Sequence, residues 1–198
     1  IPSVKRKAVV EKTEVFKKEH TLTMDISVPK NCIAYKCKGI EDPKKRNRIE
    51  WCYKMLFDMY FSSLNPKYQE WIDQEIINNS FTFEIDFGKD YGLLLFYSES
   101  EKTQTFINTI KNELMSISEI KKEVLEQLKR RYFGVSINAL SNMKHLAITF
   151  MRTYFADQDF YESIEMIEDI TCDDLLEVAK DIDLDNFSCV VINPISKE

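Results

Sequence analysis

The chain has 198 residues, 44% apolar and 30% charged, which is enough apolar material for one substantial core or two small ones. Four Gly and five Pro exclude collagen-like, linker-like and low-complexity classes, and no apolar run approaches the ~20 residues that span a bilayer. Lysines and arginines number 27 against 33 carboxylates, and the resulting charge of −6 argues against a general nucleic-acid binder.

Residues 1–20 are polar and basic with scattered Val and Phe, and read as an extended lead-in. Leu22, Met24, Ile26 and Val28 then alternate with Thr21, Thr23, Asp25 and Ser27, the pattern of a half-buried strand. After a turn at Pro29, Lys30 and Asn31, a second strand runs from Cys32 to Cys37 with Ile33, Tyr35 and Cys37 on one face; the two strands form a hairpin or simply succeed one another. Asp42 followed by Pro43 starts a helix, a carboxylate capping free N–H groups and Pro standing where no N–H is needed. Its apolar positions are Ile49, Cys52, Tyr53, Leu56, Met59 and Tyr60. A shorter helix is predicted from Pro66 to Ile77, ended by Asn78 and Asn79.

Phe81, Phe83, Ile85 and Phe87 alternate with Thr82, Glu84 and Asp86, the strongest strand signal in the chain. Gly88, Lys89 and Asp90 turn the backbone into Tyr91–Tyr97, the longest apolar run, which is expected as a central strand buried on both faces. The remainder is helical. Thr103 to Met115 carries Phe106, Ile107, Ile110 and Leu114 on one stripe, and Ser116 with Glu119 suggests a capping box for a long helix bearing Ile120, Val124, Leu128 and Tyr132. Gly134 marks a bend, after which Leu140, Met143, Ala147, Phe150 and Tyr154 continue a helical stripe. A short helix follows at Tyr161 to Ile167. Thr171 with Asp174 caps the last helix, with Leu175, Val178, Ala179 and Ile182 buried, and Phe187 to Ile192 closes as a strand. The order β-β-α-α-β-β-α-α-α-α-β predicts one α+β domain over residues 1–198, an antiparallel or mixed sheet with helices on one face.

Little in the chain carries chemistry of its own. His20 and His145 are the only histidines, and neither has an acidic or Cys neighbour at ligand spacing; H-E-x-x-H and H-x-x-E-H are both absent. Cys32, Cys37, Cys52, Cys172 and Cys189 form no C-x-x-C pair, are odd in number and mostly lie in apolar stretches, a usage that fits a reducing cytoplasm. A Cys nucleophile would need a His partner, and there is no G-x-S-x-G elbow, G-x-G-x-x-G or P-loop. Glu165, Glu168 and Asp169 read as a solvated helix face rather than an acid/base pair. Two basic clusters, Lys44, Lys45, Arg46 and Arg48, then Lys129, Arg130 and Arg131, read as the wet sides of apolar stripes. The first sits in a helix's opening turn, where positive charge opposes the dipole, so an acidic partner surface is the alternative. The face Phe81, Phe83, Ile85 and Phe87 reads as core rather than as a stacking platform. No catalytic, cofactor-binding or metal-ligating residue is assigned.

Three segments carry a family resemblance. Ile170-Thr171-Cys172-Asp173-Asp174-Leu175-Leu176-Glu177-Val178-Ala179-Lys180, followed by Cys189-Val190-Val191-Ile192-Asn193-Pro194, resembles the ending of insulinase/pitrilysin-type metallopeptidase modules. Lys129-Arg130-Arg131-Tyr132-Phe133-Gly134 with Ile137-Asn138-Ala139-Leu140-Ser141-Asn142, and Ser27-Val28-Pro29 leading to Ala34-Tyr35-Lys36, resemble a subgroup. That subgroup is the bacterial insulinase-type proteins associated with modification of elongation factor P, also described as predicted zinc-dependent peptidases. The likeness runs from about Val10 to Pro194 in one element order.

The resemblance implies a module of the mitochondrial-processing-peptidase-like metallohydrolase fold, one of several tandem modules that close like a clam shell. In that family the first module bears H-x-x-E-H and a distant Glu, whose His residues hold zinc and whose motif Glu activates water. This chain resembles the later, non-catalytic module. Its start at Ile1 agrees with a C-terminal half, the zinc being expected in the missing N-terminal module. The implied partners are that module or a homologous subunit, and a peptide or protein substrate, with no nucleic acid and no membrane. Many such modules carry an Arg and a Tyr after a Gly-rich Ser-Ser turn. Here Ser62-Ser63 has no preceding Gly, and Trp71-Ile72-Asp73-Gln74-Glu75-Ile76-Ile77 with Ser80-Phe81 supplies neither residue, which puts direct help in cleavage in doubt. A catalytically inactive scaffold subunit is the alternative, and an unrelated small α+β binding protein a third.

Overall fold

Alternating and 3.6-periodic apolar positions build twelve elements in the computed structural model, which describes residues 12–195. Residues 1–11, which include most of the expected lead-in, and 196–198 lie outside the described residues. The elements are β1 (Glu19–Met24), β2 (Lys30–Cys37), α1 (Pro43–Tyr60), α2 (Tyr68–Asp73), β3 (Thr82–Phe87), β4 (Gly92–Glu99), α3 (Thr103–Ser116), α4 (Lys122–Leu140), α5 (Met143–Phe155), α6 (Phe160–Glu165), α7 (Cys172–Lys180) and β5 (Phe187–Pro194). The strands form one mixed sheet in the order β1-β5-β2-β4-β3. β1 and β5 run parallel, and every other neighbouring pair is antiparallel. The α+β class and the mixed sheet therefore agree with the sequence pattern.

One face of the sheet carries the core. Ile33 and Tyr35 of β2 and Leu94 and Phe96 of β4 are wholly enclosed beneath Leu56 and Phe57 of α1, Phe106 and Ile110 of α3, and Leu175 of α7. The opposite face, with Leu93, Leu95 and Tyr97, is only half-buried. β4 is thus central in the sheet but not covered on both sides, because the helices occupy a single layer.

Local signals place the helix starts where the chemistry is self-contained. Asp42 accepts the Lys45 N–H (2.6 Å) with Pro43 at the first helical position. Thr171 and Asp174 form a reciprocal capping box on α7. Four further expectations differ from the structure. β1 ends at Met24, is exposed along its length and pairs with β5, so it forms no hairpin with β2. α2 is shorter than Pro66–Ile77, since Glu75 turns into the left-handed region (φ 54°) and stops it. Ser116 ends α3 instead of capping α4; Ile117 leaves in extended conformation and Ile120 is buried in the connection. Finally, α4 runs through Gly134 to Leu140, and the break falls at Ser141–Asn142, where the Asn142 side chain caps α5. The predicted bent helix is therefore two helices.

A Cβ placed on Gly134 would meet nothing within 4 Å. Gly134→Ala is therefore expected to stabilise the protein by about 0.5–1 kcal/mol through helix propensity alone. Urea denaturation checks this, and a loss of stability would show that α4 needs a glycine here.

Candidate functional site

β3 lies at one edge of the sheet, bonded only to β4. Across the turn Gly88 N–H donates to the Tyr91 carbonyl (2.8 Å). Phe87 N–H instead turns away from β4 and donates to Glu50 Oε1 (3.3 Å). Backbone groups alternate in direction along a strand, so the N–H and C=O groups of Phe83 and Ile85 also project from the free edge.

Helix α1 overhangs that edge. Asn47, Glu50, Trp51 and Lys54 are spaced i, i+3, i+4, i+7 and so share one helical face. With Phe83, Glu84 and Ile85 they bound a groove of about 380 Å³. Burial raises the Glu50 carboxyl above its ordinary range, opposed by the Phe87 N–H and Arg46. Burial lowers the Lys54 ammonium, opposed by Asp58. That ammonium lies 4.7 Å from the Trp51 ring centre and 4.8 Å from that of Tyr132. Behind it, the Tyr132 hydroxyl donates to Asp58 Oδ2, and Arg131 Nη1 lies 3.4 Å from the same oxygen. Trp51 and Tyr132 meet edge to face at 5.2 Å, which joins α1 to α4.

A larger cavity, about 930 Å³, lies between lead-in residues 13–18, the loop after β2 and the loop before β5. Its walls mix lysines with exposed aspartates and border β2, a strand already paired on both sides. The smaller groove has what the larger lacks, a row of outward-facing backbone groups. Chemically it can hold an extended chain by strand addition, with a carboxyl and an ammonium near its walls.

The residues singled out from sequence are dispersed. His20 lies on β1, 3.0 Å from Lys17 Nζ, and His145 is exposed on α5. Among the described residues no group of three or more His, Cys, Asp or Glu is gathered so as to hold a metal ion. Glu165 is exposed on α6, and Glu168 and Asp169 are exposed in the turn after it. All five cysteines are free, and burial pushes Cys32 up to about 11 and Cys37 and Cys52 up to about 12. The first basic cluster finds its acids within the chain: Lys44 pairs with Glu162, and Arg48 Nη2 with Asp174 Oδ2 at 2.9 Å. It fastens the start of α1 to α6 and α7. In the second cluster Lys129 Nζ donates to the Glu168 carbonyl (2.9 Å). Ser62-Ser63 does form the turn after α1, while Trp71, Ile76 and Ile77 are core. The Trp51–Lys54–Asp58–Tyr132 cluster was not anticipated, although a lone carboxylate inside the apolar run Met55 to Met59 was the available signal.

No established family profile matches the chain. A curated relative, the uncharacterized zinc protease YmfH of Bacillus subtilis, is 23% identical over 182 residues, covering 91% of this chain and 42% of its own length. An M16-like peptidase from Alicyclobacillus acidocaldarius superimposes with a TM-score of 0.86 at 16% identity, covering 98% of this chain and 47% of that one. The inactive peptidase domain of a protein assigned as a zinc protease in Bordetella parapertussis superimposes at 0.68 with 16% identity, covering 89% and 96%. The chain thus spans less than half the length of the first two and nearly all of the third. Among the described residues no helix is long and apolar enough to cross a membrane.

Proposed function

We infer from its M16-type (insulinase) module fold that this chain is the non-catalytic C-terminal module of a zinc-dependent peptidase. In this role it packs on a zinc-bearing N-terminal module, in the same chain or another, and contacts peptide substrate. The observation that carries the substrate role is the free β3 edge beneath α1, where Phe83 and Ile85 turn backbone donors and acceptors into the groove. An extended peptide gains main-chain hydrogen bonds there, and its alternate side chains meet Asn47, Trp51 and Lys54. Zinc, water activation and bond cleavage belong to the other module.

Proline tests this at a single atom, since it deletes an edge N–H without touching the ladder to β4. Phe83→Pro removes that donor but also the ring packed on Phe57, 5.6 Å away, so Ile85→Pro is the cleaner variant. A fluorescein-labelled peptide of alternating Val and Lys is expected to bind the wild-type chain and to bind Ile85→Pro at least about tenfold more weakly, with circular dichroism unchanged. Equal binding by both proteins, or no binding by either, would overturn the edge as the peptide site.

A further inference from the structure

Glu50 and Lys54 stand four residues apart on α1, the spacing at which a Glu and a Lys ordinarily pair with each other. Here they are held apart. Glu50 Oε1 accepts the Phe87 N–H (3.3 Å), and the Lys54 ammonium rests over the Trp51 and Tyr132 rings at 4.7 and 4.8 Å. Among the described residues neither charge enters a salt bridge. Both line the groove beside β3, so an opposite pair of charges faces the space where an added strand lies.

The order of the two charges is fixed by how α1 crosses the edge. Tyr53 stacks on Phe87 with centroids 5.5 Å apart, and Phe57 meets Phe83 at 5.6 Å, so α1 runs back along β3. Glu50 therefore stands over the Phe87 end of the edge and Lys54 farther toward Phe83. Four helical residues rise about 6.0 Å and two strand residues about 6.8 Å, so the charges are spaced like successive side chains on one face of a strand. A strand added antiparallel to β3, the more stable pairing, passes Glu50 first and Lys54 second. We propose that the groove selects extended peptides in which a basic side chain is followed two residues later by an acidic one, the base set against Glu50 and the acid against Lys54. Exposed Glu84 and Asp86 alternate to the face of β3 turned away from α1, which favours basic residues at the intervening positions. This selectivity rests on β3 as the peptide edge, and adds a direction and a charge order to it.

Two end-capped, fluorescein-labelled peptides of one composition and opposite order test this: Val-Lys-Lys-Lys-Glu-Lys-Val and Val-Lys-Glu-Lys-Lys-Lys-Val. Bulk charge is identical in the two, and only the order of base and acid on the α1 side differs. At about 20 mM salt the 198-residue chain is expected to bind the first at least about fivefold more tightly, by fluorescence anisotropy, with the ratio shrinking as salt is raised. Lys54→Met keeps an unbranched stem over the rings, and is expected to cut that ratio to about twofold or less with circular dichroism unchanged. A preference for the second peptide, or a ratio untouched by Lys54→Met, would overturn the proposal. Equal affinity for both, with the alternating Val and Lys peptide still bound, would overturn the charge order and leave the edge standing. No binding of any of the three would overturn the edge and the selectivity together.

Discussion

Phe57→Ala is expected to cost about 3–5 kcal/mol, the largest loss from any single side chain described above. Phe57 is fully enclosed and touches four other rings. The centroids of Tyr53, Phe61, Phe83 and Phe96 lie 5.8, 5.6, 5.6 and 4.9 Å away. It is the point where α1 meets β3 and β4, so truncation opens a cavity between two layers that cannot both close on it. Native domains are stable by only about 5–15 kcal/mol, so the variant sits near the limit of folding. Phe57→Leu keeps most of the volume and is expected to lose about 1–2 kcal/mol. Chemical denaturation measures both, and a loss below about 1 kcal/mol for Phe57→Ala would show that this cluster does not hold the layers together. Because Phe57 sets the distance between α1 and Phe83, it also sets the width of the groove along β3.

Asp58→Ala is expected to cost about 2–3 kcal/mol, more than removal of an ordinary hydrogen bond, because it strips two partners at once. The carboxylate is buried at the α1–α4 junction, where it accepts the Tyr132 hydroxyl and pairs with Arg131. Tyr132→Phe deletes the hydroxyl but leaves the carboxylate with Arg131, and about 1 kcal/mol is expected. The double variant should cost less than the sum, with a coupling of about 0.5–2 kcal/mol. Additive losses would contradict a direct Asp58–Tyr132 interaction. Burial first, and the Asp58 carboxylate second, raise the Tyr132 phenol above the ordinary tyrosine range. Ultraviolet titration should therefore find Tyr132 still protonated where exposed tyrosines have ionised, and find it ionising at lower pH in Asp58→Ala.

Features legible in the sequence were those whose chemistry is local. Asp42 and Pro43, Thr171 and Asp174, and the alternation from Phe81 to Phe87 each act through neighbours within one turn or one strand, and the structure keeps all three. Features that failed depend on distant chain. Ser116 and Glu119 satisfy the capping pattern, yet the burial of Ile120 pulls the connection out of helical conformation. The stripe from Met143 to Tyr154 has core periodicity but no core to meet among the described residues. The acids that answer Lys44 and Arg48 lie more than 100 residues away, at Glu162 and Asp174, with no local signature. Edge placement of β1 and β3 is likewise a property of pairing order, which alternation alone does not specify. The candidate groove was half legible: its strand was plain, but Asn47, Glu50, Trp51 and Lys54 above it belong to no motif and fall outside the apolar stripe of α1.

Zinc content distinguishes a non-catalytic module of a zinc peptidase from the other readings. Native mass spectrometry would be run on the 198-residue chain alone and on the assembly isolated from its own cells with this chain in it. No stoichiometric zinc is expected on the isolated chain, and one zinc in the assembly, held by a module other than this one. Tight one-to-one zinc binding by the isolated chain would contradict the non-catalytic assignment, and an assembly free of zinc would replace the peptidase with an inactive scaffold.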